Sequence, residues 1–235
     1  MGEKFRLIVD GARAAGLNMA IDEVLLESQK ETASLSTLRI YFWEEPSYSI
    51  GYFQSVERVR RRLADRPIVR RITGGGIVLH GEDLTFSLVT KRSGFLASGD
   101  VKSSYLRINE ALRHGFLPLY PGLDFVDCKT VPSGRAKGER ICFEQPSCYD
   151  LAWRGRKVVG SSQRRVGFGL LHQSSIFLKG KKEELIECLL RGFREKRGVS
   201  FEEIPLSAEE LDRAGEKEKE RLALSEWAYA GGVFC

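Results

Sequence analysis

The sequence predicts an α+β fold built as one domain. Three observations carry this reading. Amphipathic helical segments and β-branched, aromatic segments are intermixed, and most strands follow one another without crossover helices. No internal repeat, low-complexity tract or linker divides the 235 residues. The composition, 42% hydrophobic and 29% charged, supports a sizeable core. The main body is expected over residues 1–180, with 181–235 as a short helical C-terminal extension of the same domain.

The elements follow from periodicity. Leu17, Ala20, Ile21, Val24, Leu25 and Leu26 recur at helical spacing with Asp22, Glu23 and Glu27 opposite, which predicts an amphipathic helix over 16–30. Thr37-Leu-Arg-Ile-Tyr-Phe-Trp43 and Tyr48-Ser-Ile-Gly-Tyr-Phe53 read as strands around Glu44-Glu-Pro-Ser47. A short, very basic helix is expected over 55–65. Strands follow at 67–72, which runs into a glycine turn, and at 84–90. The Val101, Tyr105, Ile108, Leu112 spacing predicts a helix over 101–115. Residues 120–148 are rich in Pro and Gly and read as loop. Tyr149 to Trp153, Arg154-Gly155, and Lys157 to Ser162 form a hairpin pattern. A strand over 170–178 and charged helices over 182–196 and 207–229 complete the chain.

Composition narrows the function classes. No stretch reaches the length of an apolar membrane span, and the N-terminus has no signal-peptide core, so a cytoplasmic protein is expected. Five cysteines without a C-x-x-C indicate neither a disulfide framework nor a zinc knuckle. A net charge of +5 permits an acidic partner. No helix-turn-helix, RNP or zinc signature supports nucleic-acid binding. Three scattered histidines give no metal site, and His114, ending a helix, reads as structural.

Three segments carry chemistry. In Arg70-Arg71-Ile72-Thr73-Gly74-Gly75-Gly76-Ile77-Val78-Leu79-His80, glycines after a strand let the backbone approach a ligand and aim amides at it. The arginines suit a phosphate or carboxylate. The same pattern fits an ordinary glycine turn, and it is neither a Walker A loop nor a dinucleotide fingerprint. In Gly155-Arg156-Lys157-Val158-Val159-Gly160-Ser161-Ser162, Lys157 is either a fixed cation facing a cleft or an exposed hairpin lysine. Cys142, in a loop 15 residues before Lys157, is either a thiol activated by that ammonium or a small buried hydrophobe. Cys148 ranks second as a nucleophile, and Cys128, Cys188 and Cys235 read as inert. His80 and His172 are candidates to line the same cleft. A Ser-His-Asp hydrolase finds no G-x-S-x-G.

Together these segments resemble the biotin/lipoate ligase–octanoyltransferase superfamily, in order and over nearly the whole chain. Leu17 to Leu25 resembles its first helix, Tyr48-Ser-Ile-Gly-Tyr-Phe-Gln54 its strand ending in Gly-x-x-Gln, and Arg70 to His80 its R-R-x-[ST]-G-G-G-x-V-x-H signature. Asp150 to Arg165 resembles the segment holding its active-site lysine, here Lys157. The resemblance implies a single ligase-type catalytic domain with mixed sheets flanked by helices. Cys142-Phe-x-x-Pro-Ser-x-Tyr149 is similar to the octanoyltransferases of the LipM type. That likeness implies transfer of octanoyl from an acyl carrier protein through a Cys142 thioester, activated by Lys157, to a lysine of a lipoyl domain such as the glycine-cleavage H protein. It also implies that Arg71, Gly74, Gly75, Gly76, His80, Gly160, Ser161, Ser162 and His172 bind substrate, and that no cofactor, metal, nucleic acid or membrane takes part. An ATP- and Mg2+-dependent ligase acting through an acyl-adenylate is the alternative. Gln173 departs from the glycine usual after the histidine and alters the cleft wall.

Overall fold

A computed structural model describes residues 3–63, 65–127, 129, 147–224 and 227–229. Its elements are β1 (Lys4–Arg13), α1 (Ala15–Ser28), β2 (Ser36–Trp43), β3 (Ser47–Ile50), α2 (Val56–Arg62), β4 (Ile68–Arg70), β5 (Val78–His80), β6 (Leu84–Lys91), α3 (Val101–Phe116), β7 (Asp124–Phe125), β8 (Leu151–Trp153), β9 (Arg156–Arg165), β10 (Gly169–Ile176), α4 (Lys182–Arg197), β11 (Ser200–Glu203), α5 (Ala208–Leu222) and β12 (Ala228–Tyr229). They form the expected α+β fold.

Eight strands make a mixed sheet in the order β11-β1-β2-β6-β10-β9-β8-β7, and four make a second sheet in the order β12-β4-β3-β5. In the large sheet β1 runs parallel to β2 and β11, while the pairs from β2 through β7 are antiparallel. In the small sheet β3 is parallel to β4 and antiparallel to β5.

The period-two pattern of β6 shows how one strand serves two layers. Leu84, Phe86 and Leu88 enter the main core with Ile108, Leu112 and Phe116 of α3 and Leu189 and Phe193 of α4. Val89 faces the other way, into a second core with Ile21, Val24 and Leu25 of α1. Thr85 and Ser87 share that second face and meet polar side chains. The 154–155 turn closes the β8–β9 hairpin with φ of 51° at Arg154 and 75° at Gly155, the positive pair that suits a two-residue hairpin.

The C-terminal segment belongs to these layers. α4 contributes Leu185, Cys188, Leu189, Leu190 and Phe193 to the main core, and β11 adds a strand beside β1. α5 opens with a Ser207–Glu210 capping box, a feature that contributes about 1 kcal/mol. It lies along α1 through Lys217–Glu27 at 2.9 Å and Arg221–Glu23 at 2.6 Å. The helix expected over 207–229 ends at Leu222. β12 then pairs with β4 and completes the small sheet. Among the described residues no helix is long and apolar enough to cross a membrane.

Candidate active site

The glycine segment leaves β4 and returns along β5, so the small sheet presents it toward β9 and β10 of the large sheet. Gly51, at the end of β3, makes the close packing possible. A Cβ there would stand 2.1 Å from the Gly75 carbonyl oxygen. Gly75 itself adopts φ +94°.

Arg71 holds this loop from below. Its guanidinium is buried, and its Nη2 donates to the Gly74 and Gly76 carbonyls at 2.8 and 2.7 Å. Its Nη1 donates to Ser49 Oγ at 2.9 Å. Arg70 turns to the Tyr52 carbonyl and the face of Trp227. The pair that the sequence offered to an anion is therefore engaged in positioning backbone.

From Ser49 the hydrogen bonds continue. Ser49 Oγ lies 2.7 Å from His80 Nε2, and His80 Nδ1 lies 2.8 Å from Asp83 Oδ2. Every group is satisfied when Nδ1–H donates to the carboxylate and the serine hydroxyl donates to Nε2. Thr85 Oγ1 and the Gly81 amide also donate to Asp83, at 2.7 and 3.1 Å. Burial pushes the Asp83 carboxyl up, but His80, Thr85 and the Gly81 amide outweigh it and hold the group below the ordinary carboxylate range. Trp43 stacks on the His80 ring with centroids 3.9 Å apart.

Ser49, Arg71 and His80 line one wall of a narrow cleft of about 20 Å3, and Gly160, Ser161, Ser162 and Gln173 line the other. Six of the residues expected to bind substrate thus meet: Arg71 and His80 from the small sheet, Gly160, Ser161 and Ser162 from β9, and Gly75, whose hypothetical Cβ would point at Arg71 and Ser162. His172 stands apart. It is fully buried, its ring packs on Phe86 and Tyr105, and it does not line the cleft. Burial pushes it down to about 3 and keeps it neutral. Gln163 donates to its Nδ1 at 2.9 Å, so Nε2–H donates to Ser174 Oγ at 2.8 Å, and the ring reaches the cleft only through that serine.

Lys157 is not an exposed hairpin residue. Its side chain is 3% exposed and its Nζ lies 2.7 Å from Asp150 Oδ2. The same Asp150 oxygen accepts from the Ser147 amide at 2.6 Å, which ties the return of the 120–148 segment to the lysine. Cys142 and Cys128 lie outside the described residues, as does Cys235. Cys148 is half-buried, and Cys188 packs in the core, where desolvation raises its thiol. His114 pairs with Glu195 on the surface between α3 and α4. Val159, two residues on from Lys157, packs in the main core, and Tyr52 is 36% exposed.

Gln173 stands in the cleft wall, as the sequence suggested, but the hydrogen-bond chain it belongs to escaped the sequence reading. Gln173 Oε1 accepts from Thr73 Oγ1 at 2.6 Å, and its Nε2 donates to Asp22 Oδ2 at 2.7 Å. Asp22, assigned by periodicity to the polar side of the first helix, is fully buried against Arg39, which is itself fully buried between Asp22 and Asp10. Ser162 Oγ donates to Thr73 Oγ1 at 2.8 Å. This chain of polar groups joins α1, both sheets and the glycine segment at the cleft floor. The only sequence signals were an arginine inside an apolar strand pattern and a glutamine after His172. Among the described residues no group of three or more His, Cys, Asp or Glu side chains has the arrangement of a metal site.

Residues 14–219 match the model of the lipoyl protein ligase A/B catalytic domain. The chain belongs to this family. It is 36% identical over 198 residues to octanoyltransferase LipM of Moorella thermoacetica, covering 80% of this chain and 70% of that protein. To octanoyltransferase LipM of Halalkalibacterium halodurans it is 35% identical over 234 residues, covering 90% and 84%. Among solved structures, lipoate-protein ligase A bound with ATP superposes with a TM-score of 0.73 at 22% identity, covering 97% of this chain and 98% of that one. The bipartite lipoate protein ligase of Thermoplasma acidophilum, described with its E2 lipoyl domain, gives 0.73 at 21%, covering 96% of both. The structural likeness establishes the ligase-type fold.

Proposed function

We propose that the protein is an octanoyltransferase of lipoyl-cofactor assembly. It takes octanoyl from the thioester of an acyl carrier protein onto Cys142 and passes it to a lysine of a lipoyl domain, with the glycine-cleavage H protein as acceptor. The observation that carries this reading is the buried Lys157–Asp150 pair beside the cleft, in a chain whose sequence relatives are octanoyltransferases. A lysine so held is a fixed positive charge, which favours a nearby thiolate and a developing oxyanion.

In the first step the Cys142 thiolate attacks the donor carbonyl, and the carrier thiolate leaves and takes a proton. In the second the acceptor amine attacks the new thioester, loses a proton and releases the Cys142 thiolate. Thioester exchange is nearly isoenergetic and amide formation is downhill, so neither step needs nucleotide or metal. Arg71, Gly74, Gly75 and Gly76 supply a preorganised loop, His80, Gly160, Ser161 and Ser162 line the narrow cleft at the reacting end of the acyl group, and His172 supports that wall through Ser174.

Mass spectrometry after incubation with octanoyl carrier protein tests this. Without ATP the protein gains one hydroxylamine-labile octanoyl group, absent in Cys142→Ser and retained in Cys148→Ser. Added acceptor domain discharges it onto lysine. In Lys157→Ala, alkylation of Cys142 by iodoacetamide shifts to higher pH. An ATP-dependent acyl-adenylate formed equally well by Cys142→Ser would replace the transferase with the ligase.

A further inference from the structure

The acceptor lysine arrives as an ammonium, and its nitrogen cannot attack a thioester until a proton leaves. Lys157 is a poor place for that proton, because it is itself a cation, paired with Asp150 at 2.7 Å. His80 is placed differently. It lines both the narrow cleft, about 20 Å3, and a neighbouring groove of about 550 Å3 that also holds Lys157. The cleft has room for one small polar group and not for a chain. A nitrogen that enters from the groove meets Ser49 and His80 at the boundary between the two.

We propose that the Ser49–His80–Asp83 series is the proton acceptor for the attacking amine. The inference rests on the transferase reading and adds the base that its second step needs. A serine oxygen has one hydrogen and two lone pairs. The Ser49 hydrogen goes to His80 Nε2 at 2.7 Å, and one lone pair accepts from Arg71 Nη1 at 2.9 Å. Among the described residues these are the Oγ partners, which leaves a lone pair for an acceptor N–H in the cleft that Ser49 lines. The ammonium proton passes to Ser49 Oγ as the serine proton passes to Nε2. Asp83, 2.8 Å from Nδ1, balances the imidazolium that forms. The freed electron pair attacks the carbonyl, the second proton is lost to water, and the C–S bond breaks with its electrons on the Cys142 sulfur. Ser49 ends as it began.

The charges around the ring set the direction of transfer. Arg71, behind Ser49, and Lys157, in the groove, are cations that weaken the hold of the entering amine on its proton. They act on the ring as well, but there Asp83 is in direct contact and offsets them. Thr85 Oγ1 and the Gly81 amide fix that carboxylate at 2.7 and 3.1 Å. Trp43 stacks on the ring with centroids 3.9 Å apart, and Ser175 Oγ lies 3.5 Å from Nδ1; neither brings charge. Arg66 and Glu82 also line the groove. Glu82 is the competing base, although an exposed carboxylate is a weaker base than an imidazole.

Single-turnover discharge of octanoyl-Cys142, followed by mass spectrometry on the full chain, tests this with two nucleophiles. The lipoyl-domain lysine must shed a proton, whereas hydroxylamine is already neutral at about pH 7. His80→Gln should lower the lysine-to-hydroxylamine rate ratio about a hundredfold at that pH, the low end of what a positioned base supplies. The ratio should recover toward about pH 9.5, where the amine ionises unaided. Ser49→Ala should lower the same ratio and Ser49→Thr restore it, because threonine keeps the hydroxyl. Equal slowing with both nucleophiles overturns the proposal, since His80 then only shapes the site. Loss of the ratio in Glu82→Gln and not in His80→Gln overturns it too. In the unaltered protein the lysine rate should level off between about pH 6 and 9; a rise of about tenfold per pH unit throughout, the mark of ionisation in solution alone, overturns it without any variant. If octanoyl carrier protein leaves no adduct on Cys142, the transferase reading fails by itself. Octanoyl-adenylate then serves as donor in the same comparison, because the same amine must still lose its proton.

Discussion

Two adjacent glycines separate loop strain from ligand approach. At Gly75, φ is +94° and a Cβ would lie 2.9 Å from Arg71 Nη2, the atom that holds the Gly74 and Gly76 carbonyls. A left-handed backbone costs a residue with a side chain about 1–2 kcal/mol. Displacing the guanidinium loses at least one charge-assisted hydrogen bond, about 1.5–3 kcal/mol. Gly75→Ala should therefore destabilise by about 2.5–5 kcal/mol, a fall in Tm of roughly 5–20 °C for a chain of this size. At Gly74 nothing lies within 4 Å of the same hypothetical methyl. Gly74→Ala should melt like the wild type, yet lower the rate of octanoyl-adduct formation at least tenfold or so if this backbone touches the acyl group. Thermal unfolding and adduct mass spectrometry on both variants give the answer. A wild-type melting curve for Gly75→Ala refutes the strain argument. Full activity in Gly74→Ala refutes close approach at that residue.

Two further outcomes follow from the same geometry. Asp83 has its carboxyl lowered in the folded state, so the stability it contributes is present above about pH 4, the unfolded value, and is lost as pH falls through the folded one. Asp83→Asn should cost about 1.5–3 kcal/mol at pH 7, a difference that shrinks below pH 4 in urea titrations; a constant difference down to pH 3 would refute the linkage. Reversing Arg61 and Arg62 to Glu should raise KM for octanoyl carrier protein about tenfold at low salt and leave octanoyl N-acetylcysteamine unchanged. Equal effects on both donors would show that α2 does not steer the carrier.

The parts of the site visible in the sequence are those set by local rules. Three glycines after a strand, the Arg154-Gly155 turn and the alternation along β6 each depend on neighbours within a few residues, and all stand where periodicity placed them. β1 and β11 were missed because each is completed by a distant partner: Phe5 pairs with Ser36 on one side and Phe201 on the other. The expected helix over 207–229 overran because charge and helix formers continue past Leu222, while the pairing of Tyr229 with Ile68 ends it. Asp22 failed for another reason. Helical spacing separates apolar from polar faces, and a carboxylate buried against an equally buried arginine inverts that rule. Removing one partner of such a pair typically costs 3–5 kcal/mol or so, which is why it persists in an apolar layer.

That buried chain of polar groups also explains how the cleft keeps its shape. Packing alone leaves two sheets free to slide by small amounts, because apolar contacts have no direction. Hydrogen bonds do have direction, and here they cross between layers: Gln173 of β10 grips Thr73 of the glycine segment and Asp22 of α1, while Ser162 of β9 grips the same threonine. Asp22 is in turn fixed by Arg39 of β2, Tyr41 and Ser87. The glycine segment, which has no side chains of its own to lock it, is thereby pinned at Thr73 from one side and at its carbonyls by Arg71 from the other. Under the proposed mechanism, in which the loop amides meet a developing oxyanion, such pinning raises the rate because reorganisation is avoided when charge develops. The glycines give close approach, and the polar residues around them supply the rigidity that glycine lacks.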